Sequence, residues 1–527
     1  MSAHKQSSLL PLKAFFTVGS FTFLSRILGY VRDLLIAATV GTGPIAEAFF
    51  VAFRIPNMFR RIFAEGAFNA AFLPSYSRIL SEEGQAGATS FARQTLGIML
   101  GILIPFSLLL IWQMPLVIGL IAPGFNPDSS RYALAIIYAR IMFAYLGFMA
   151  FTALFSAILQ AHNRFAAAAA APMLLNLFFI AALLIVLPFT GNAGLVMAWA
   201  VFVSGIAQVF LVIWAIRRQG LSVLRPYLSW NPRIKQLIVL IGPGILSAGI
   251  WQINTFINTV IASTEQGAVA FLYYADRLYQ LPLGLIGVAF GVVLLPSLSR
   301  ALRAGDEAKG NIALSQGVEL SSFFTFPAMI AMLIIPQSLC LGLFERGDFM
   351  RSDTLNTAQA LFMLGLGVPA AVLVKVFMPG FYARQDTKTP MFHAAIAVLC
   401  NISLALLLFS LLKKEGQGFI GLAAATTCSG WVMAFLQAKS LLKRGFWQPK
   451  LTPLLGQLGR SFAASLLMAS GLYIVQLYSF AHIAELDSLT RFIAVLILSF
   501  LGLLIYLIAA WFLKVQALRL ILARFIS

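Results

Sequence analysis

The chain has 527 residues, of which 60% are hydrophobic and 10% charged, a composition that excludes an ordinary soluble globule and a disordered chain alike. Its formal net charge of +19 would point to nucleic acid in a soluble protein, but in a chain this apolar the charge is read by location, and location removes that partner. What remains is an all-α polytopic membrane protein with no sizeable soluble domain between its spans.

Apolar runs of about 20 residues, enough to cross roughly 30 Å of hydrocarbon as a helix, recur from end to end. In chain order the expected spans are 11 to 40, 46 to 79, 92 to 121, 131 to 160, 166 to 187, 193 to 217, 234 to 261, 267 to 300, 313 to 336, 355 to 383, 390 to 412, 418 to 442, 459 to 480 and 489 to 513, fourteen transmembrane helices. The stretch after Lys5 and Lys13 runs on through Arg26 to Arg32 without a small-residue cleavage site, so it is read as the first span and not as a secretory signal.

The turns alternate in charge. Even-numbered turns carry Arg78 and Arg93; His162 and Arg164; Arg217, Arg218, Arg225, Arg233 and Lys235; Arg300, Arg303 and Lys309; Arg384 and Lys388; Lys439, Lys443, Arg444 and Lys450. Odd-numbered turns such as Gly41 to Ala46 and Pro188 to Gly194 are poor in cations, Lys413-Lys414 being the exception. The positive-inside rule makes the basic turns, and with them both termini, cytoplasmic.

An internal repeat divides the spans. Leu73-Pro74-Ser75-Tyr76-Ser77-Arg78 ends span two and Leu295-Pro296-Ser297-Leu298-Ser299-Arg300 ends span eight; the same offset aligns Ala48-Phe49-Phe50 with Ala270-Phe271-Leu272. Pro172-Met173 and Pro390-Met391 open spans five and eleven at a similar offset. The expected layout is two pseudosymmetric six-helix lobes, residues 1–220 and 221–445, with two further helices in 446–527. Repeats around a central site are how many transporters build alternating access.

Charged side chains inside the spans are the residues that point to chemistry. A cation at the bilayer centre costs roughly 2.5 to 3.5 kcal/mol on insertion scales, so it persists where it meets a wet cavity or an anion. Span one carries Arg26 and Asp33, seven residues apart on nearly one face, with Arg32 turned about a third of a revolution away and Gly29 between them. Span two carries Glu47, Arg54 and Arg61, again at sevens across the kink expected at Pro56, with Asn57, Arg60 and Glu65 nearby. Span eight adds Asp276, Arg277 and Gln280.

Two readings compete. Arg26 with Asp33 and Arg61 with Glu65 would pair internally and fasten helices. Alternatively, the arginines in excess of nearby carboxylates hold an anion, and guanidinium geometry suits phosphate or diphosphate oxygens. The polar loop 380–390 is either a solvated turn or a gate. Cys340, Cys400 and Cys428 stand singly, and His162, His393 and His482 lack ligand spacing, so no metal and no cofactor is expected. Phosphate-cradling loops, GxSxG and HExxH are missing, which argues against an enzyme.

At Ser25-Arg26-Ile27-Leu28-Gly29-Tyr30-Val31-Arg32-Asp33, Pro56-Asn57-Met58-Phe59-Arg60-Arg61-Ile62-Phe63-Ala64-Glu65-Gly66-Ala67-Phe68, Tyr273-Tyr274-Ala275-Asp276-Arg277-Leu278 and Pro379 through Pro390, the chain resembles the MurJ (MviN) family of lipid II flippases. The resemblance covers nearly the whole chain. It implies a fourteen-helix fold of the multidrug/oligosaccharidyl-lipid/polysaccharide exporter superfamily, two lobes about a cationic cavity, in the bacterial cytoplasmic membrane. It also implies transport of lipid II, an undecaprenyl diphosphate glycopeptide, by alternating access.

By the family pattern Arg26, Arg32, Arg60 and Arg277 correspond to substrate-binding cavity arginines. Ser25, Gly29, Asp33, Glu47, Arg54, Asn57, Arg61, Glu65, Pro172, Asn176 and Asp276 are expected to gate or orient. The last two helices would hold the lipid tail, and membrane lipids and cell-wall synthesis enzymes are the expected partners. Two positions depart from the pattern: Glu47 stands where an aspartate is expected, and span eleven, where some relatives use an acid to bind sodium, offers Asn401 and no Asp or Glu. A flippase for another polyprenyl-linked glycan, a drug or cation antiporter of the same superfamily and a non-transporting scaffold are the competing functions.

Overall fold

The computed structural model describes residues 12–63 and 67–526, without the side chains of 12–16, 59–63, 67, 70, 243–251, 285, 287–293, 479–481, 484 and 523–526. Lys5 and Glu65 therefore lie outside the described residues, as do the side chains of Lys13, Arg60 and Arg61. Every regular element among the described residues is helical. Among the described residues nine helices are long and apolar enough to cross a membrane, ten if one bent pair is counted as a single span. This is a multi-pass membrane protein. The chain divides into two compact units, Met1–Gln252 and Ile253–Ser527.

The first unit contains α1 (Leu12–Val40), α2 (Pro44–Phe63), α3 (Ala67–Trp112), α4 (Met114–Ile121), α5 (Ser130–Phe143), α6 (Tyr145–Ala161) and α7 (Ala166–Ala181). A π-helical turn, Ala182–Val186, leads into α8 (Leu187–Thr190), followed by α9 (Ala193–Arg218); α10 (Pro232–Ala262) contains the boundary between units. Helix starts follow the local sequence. Pro44 has its φ preset for a first turn, Glu47 faces the positive end of the α2 dipole, and Ser129 and Asn192 accept the Tyr132 and Leu195 amides as N-caps.

The turn expected between spans two and three is made inside α3, at Gly84, whose φ of 71° and ψ of −166° suit a residue without Cβ. In a straight helix Phe72 and Phe91 would lie about 28 Å apart. Their rings instead stack 5.5 Å apart, so the helix doubles back at Gly84 and its two limbs close on one core with Tyr76 and Leu154. Around this core α3 packs on α6; elsewhere in the unit α1 packs on α7 and α2 on α5.

The second unit contains α11 (Ala268–Arg303), α12 (Glu307–Ile334), α13 (Pro336–Phe344), α14 (Arg351–Gly365), α15 (Val368–Tyr382), α16 (Lys388–Leu412), α17 (Gly418–Lys443), α18 (Leu451–Glu485), α19 (Ser488–Phe512) and α20 (Gln516–Ile526). α14 and α15 form the bent pair, turning by 40° at Leu366–Gly367. A break inside a membrane exposes backbone carbonyls that need donors. α17 supplies them: Thr427 Oγ1 donates to the Met363 carbonyl at 2.6 Å and Trp431 Nε1 to that of Leu366 at 3.0 Å. A Cβ on Gly367 would come within 2.9 Å of Thr427 Oγ1, so glycine lets the two helices approach.

α18 and α19 pair with each other and lie against α12, burying Phe323, Met468, Leu498 and Tyr506. Between the three helices runs an apolar cavity of about 240 Å³, lined by residues that include Phe324, Ala328, Leu472, Leu503 and Leu507.

Candidate functional site

In the first unit the polar residues of α1 converge on one side chain of α7. Ser25, Gly29 and Arg32 recur at i, i+4 and i+7 and so share a helix face. Asn176 Nδ2 donates to the Ser25 carbonyl at 2.9 Å, and Arg32 Nη1 donates to Asn176 Oδ1 at 3.1 Å. Gly29 leaves the space between: a Cβ there would sit 3.5 Å from Asn176 Nδ2. The Arg32 guanidinium is completed by Asp33 Oδ1, which accepts from Nη2 at 2.7 Å and Nε at 3.0 Å, and by the Phe179 ring, 5.5 Å from Cζ to centroid.

Arg32 and Asp33 are only 9% and 3% exposed, so this is a buried, charge-neutral cluster. Asp33 thus pairs with its neighbour Arg32 and not with Arg26, which shares its helix face. Long side chains on adjacent residues can fold together when a third group, here Asn176, aims the guanidinium. Arg26 is exposed and makes no ion pair among the described residues. Pro172 is exposed one turn before Asn176.

On α2, Glu47 is fully buried and its Oε2 accepts from Arg131 Nη1 of α5 at 2.8 Å, while the Arg131 guanidinium lies 4.8 Å from the Phe125 ring centroid. Arg54 and Asn57, three residues apart on one side of α2, are half-buried and both engaged. Arg131 is absent from the sequence reading. Its signal was a lone cation heading span four, next to a turn otherwise poor in them.

In the second unit Arg277 lies over the Tyr273 ring at 4.7 Å, and its Nη2 is 3.6 Å from Asp276 Oδ2, too long for a firm pair. Asp276 Oδ1 accepts from Gln280 Nε2 at 3.3 Å. A second cation, also missed in the sequence, reaches the same helix: Lys375, in the middle of α15, donates to the Leu283 carbonyl of α11 at 3.3 Å. Six residues separate Leu283 from Arg277, about 9 Å along the axis. Cations from two helices, Arg277 of α11 and Lys375 of α15, therefore lie beside α11 in an apolar bundle.

Asn401 is wholly buried in a neutral polar cluster, its Nδ2 donating to Ser429 Oγ at 3.4 Å, while Asn258 Nδ2 donates to Thr426 Oγ1 at 3.2 Å. Among the described residues no group of three His, Cys, Asp or Glu side chains is placed to hold a metal ion. The 380–390 loop is a fastened corner. Arg384 Nη2 meets Glu307 Oε2 at 2.6 Å and its guanidinium lies 4.3 Å from the Phe446 ring; Arg444 Nη1 meets Asp386 Oδ2 at 2.6 Å. Burial alone would raise the Asp386 carboxyl, but the Thr389 hydroxyl and amide and the Arg444 guanidinium outweigh it and hold the group below the usual carboxylate range.

A family model described as Lipid II flippase MurJ matches residues 36–483. A probable lipid II flippase MurJ of Rhizobium meliloti (strain 1021) is 42% identical over 470 residues, covering 88% of this chain and 86% of its own. The lipid II flippase MurJ of Burkholderia cenocepacia is 34% identical, covering 83% and 85%. Among solved structures, a lipid II flippase MurJ in an inward closed conformation superposes with a TM-score of 0.77 at 26% identity, over 94% of this chain and 98% of that one. A multidrug resistance MATE family transporter of the MOP superfamily shares the fold, with a TM-score of 0.70 at 15% identity over 80% and 94%.

Proposed function

The chain belongs to the lipid II flippase MurJ family, and from that premise we propose that it is a transporter, not an enzyme, that carries lipid II from the inner to the outer leaflet of the bacterial cytoplasmic membrane. Lipid II is its substrate, and cell-wall synthesis enzymes are its candidate partners. The basic turns face the cytoplasm, so both termini lie inside. The chain crosses fourteen times, as two six-helix lobes, 1–220 and 221–445, followed by a tail-binding pair in 446–527.

Transport proceeds by alternating access. Arg26, Arg60 and Arg277, joined by Lys375, bind the diphosphate, and Arg32 is held ready by Asp33 and Asn176. Ser25, Gly29, Glu47, Arg54, Asn57, Arg61, Glu65, Pro172 and Asp276 orient or gate. The apolar cavity between α12, α18 and α19 takes part of the polyprenyl chain, which has no place among charges. An inside-negative potential favours outward passage of an anion by about 2.3 kcal/mol per charge per 100 mV, so voltage alone can drive the headgroup out.

The observation that carries this reading is the pair of cations, Arg277 on α11 and Lys375 reaching the same helix from α15. They also weigh against a drug or cation antiporter, whose cargo they would repel. The test is translocation of purified lipid II in vesicles holding this protein, with another polyprenyl diphosphate glycan as competitor. Full activity in the folded Arg277→Ala variant sinks the diphosphate role; equal handling of the competitor shows a broader glycan flippase.

A further inference from the structure

A second polar site stands apart from these cations, on the flank of the first unit. The connection between α9 and α10 crosses the second limb of α3 as an extended strap, residues 219–231. It lies close: a Cβ on Gly97 would collide with the Tyr227 carbonyl, and one on Gly101 would sit 3.4 Å from Leu228 Cδ2. Two glycines one turn apart thus give the strap its seat on the helix.

Between strap and helix is an open cavity of about 490 Å³, lined by Gln85, Thr89, Ser90, Arg93, Ser222 and Tyr227. Its walls are fixed by hydrogen bonds. Arg93 Nε donates to the Ser222 carbonyl at 2.7 Å and Nη2 to Ser222 Oγ at 3.2 Å. The Ser90 and Tyr227 hydroxyls meet at 2.6 Å, and Gln94 Nε2 donates to the Tyr227 hydroxyl at 2.7 Å. Arg93 Nη1 has no partner among the described residues. Glu83, which folds over Gly87 at the rim, is neutralised by Arg233 at 2.8 Å.

The level of this cavity identifies its occupant. Below it on α3, residues 81–84 are polar or small and exposed; above it, Ile102, Ile104, Leu108 and Leu109 are exposed apolar side chains. The cavity sits where water gives way to hydrocarbon. Beside it the strap presents Leu228 and Trp230, 74% and 65% exposed, where an indole marks a membrane interface, and Arg225 is exposed three residues before Leu228. We infer that this cavity binds the phosphate headgroup of an anionic phospholipid from the strap-side leaflet, with Arg93 and the Ser90–Tyr227 hydroxyl pair on the phosphate and the acyl chains running along Leu228 and the apolar face of α3.

The test is native mass spectrometry of the full-length purified protein titrated with phosphatidylglycerol, with diacylglycerol of the same chains, and with inorganic phosphate as competitor. Phosphatidylglycerol is expected to be retained and diacylglycerol lost. Arg93→Ala weakens retention roughly tenfold, the worth of a charge-assisted hydrogen bond, whereas Ser222→Ala, which keeps the guanidinium but removes one strap contact, changes it less than about twofold. Trp230→Ala weakens the lipid but not phosphate. Equal losses in Arg93→Ala and Ser222→Ala would show that Arg93 only tethers the strap and overturn the site; displacement by millimolar phosphate would overturn the lipid as occupant, as would undiminished binding in a folded Arg93→Ala protein.

Discussion

Arg131 reaches from the first turn of α5 to Glu47 in the first turn of α2, and the carboxylate it neutralises has no exposed surface. The pair fastens two helices that pack against each other. Removing one partner strands the other charge, which costs about 3 to 5 kcal/mol, whereas replacing both with apolar groups of similar volume is often neutral. Thermal unfolding in detergent is expected to show Glu47→Leu and Arg131→Met each strongly destabilised and the double variant largely restored. Additive losses in the double variant would mean that the two side chains are not coupled.

Gly29 and Asn176 make a graded steric prediction. A methyl group at position 29 meets Asn176 Nδ2 at ordinary contact distance, so Gly29→Ala should fold and transport, while Gly29→Leu displaces the amide and releases Arg32. Asn176→Ala loses two hydrogen bonds at about 1 kcal/mol each. Transport by Gly29→Leu at the level of Gly29→Ala would show that the amide does not position Arg32.

For Arg277 and Lys375 the expected losses are functional. Arg277→Ala and Lys375→Met should each lower the initial rate of lipid II translocation at least tenfold, the worth of about 1.4 kcal/mol, with folding retained. Arg277→Lys should recover little, because a point charge cannot replace a planar fork of donors. Full recovery in Arg277→Lys would leave simple charge as the requirement.

Asp386 sets a pH dependence. A carboxylate held below its unfolded value contributes stability that is present above the unfolded pKa and lost as pH falls through the folded one. Melting of the wild type is therefore expected to hold down to about pH 4, the ordinary aspartate range, and to drop below it. Asp386→Asn should be less stable at pH 7 and lack that part of the acid loss; an unchanged acid limb in the variant assigns it to other carboxylates.

The all-helical membrane character was legible because a bilayer leaves the backbone few options; of the fourteen spans expected, nine or ten helices among the described residues are long and apolar enough to cross. The doubling back at Gly84 was legible as a turn, though not its manner, since nothing local announces that Phe72 and Phe91 will stack. Site residues were found where charge interrupts an apolar run. Arg131 was missed because it stands at a span's edge, where a cation costs little, and Lys375 because it carries no neighbouring motif. The bond between Asp33 and Arg32 was out of reach: it depends on Asn176, far along the chain, and periodicity assigns faces but not rotamers.

Arg32–Asp33 and Glu47–Arg131 have one consequence for energetics. Each is a cation and an anion at the same depth, so a helix that carries such a pair through the membrane field moves no net charge and does no electrical work. These two pairs are silent to voltage. An electrical signature of turnover, such as a transient current in a supported membrane, therefore reports the cargo's own charge and cations such as Arg26 and Arg277, and neutralising either pair leaves the charge moved per cycle unchanged.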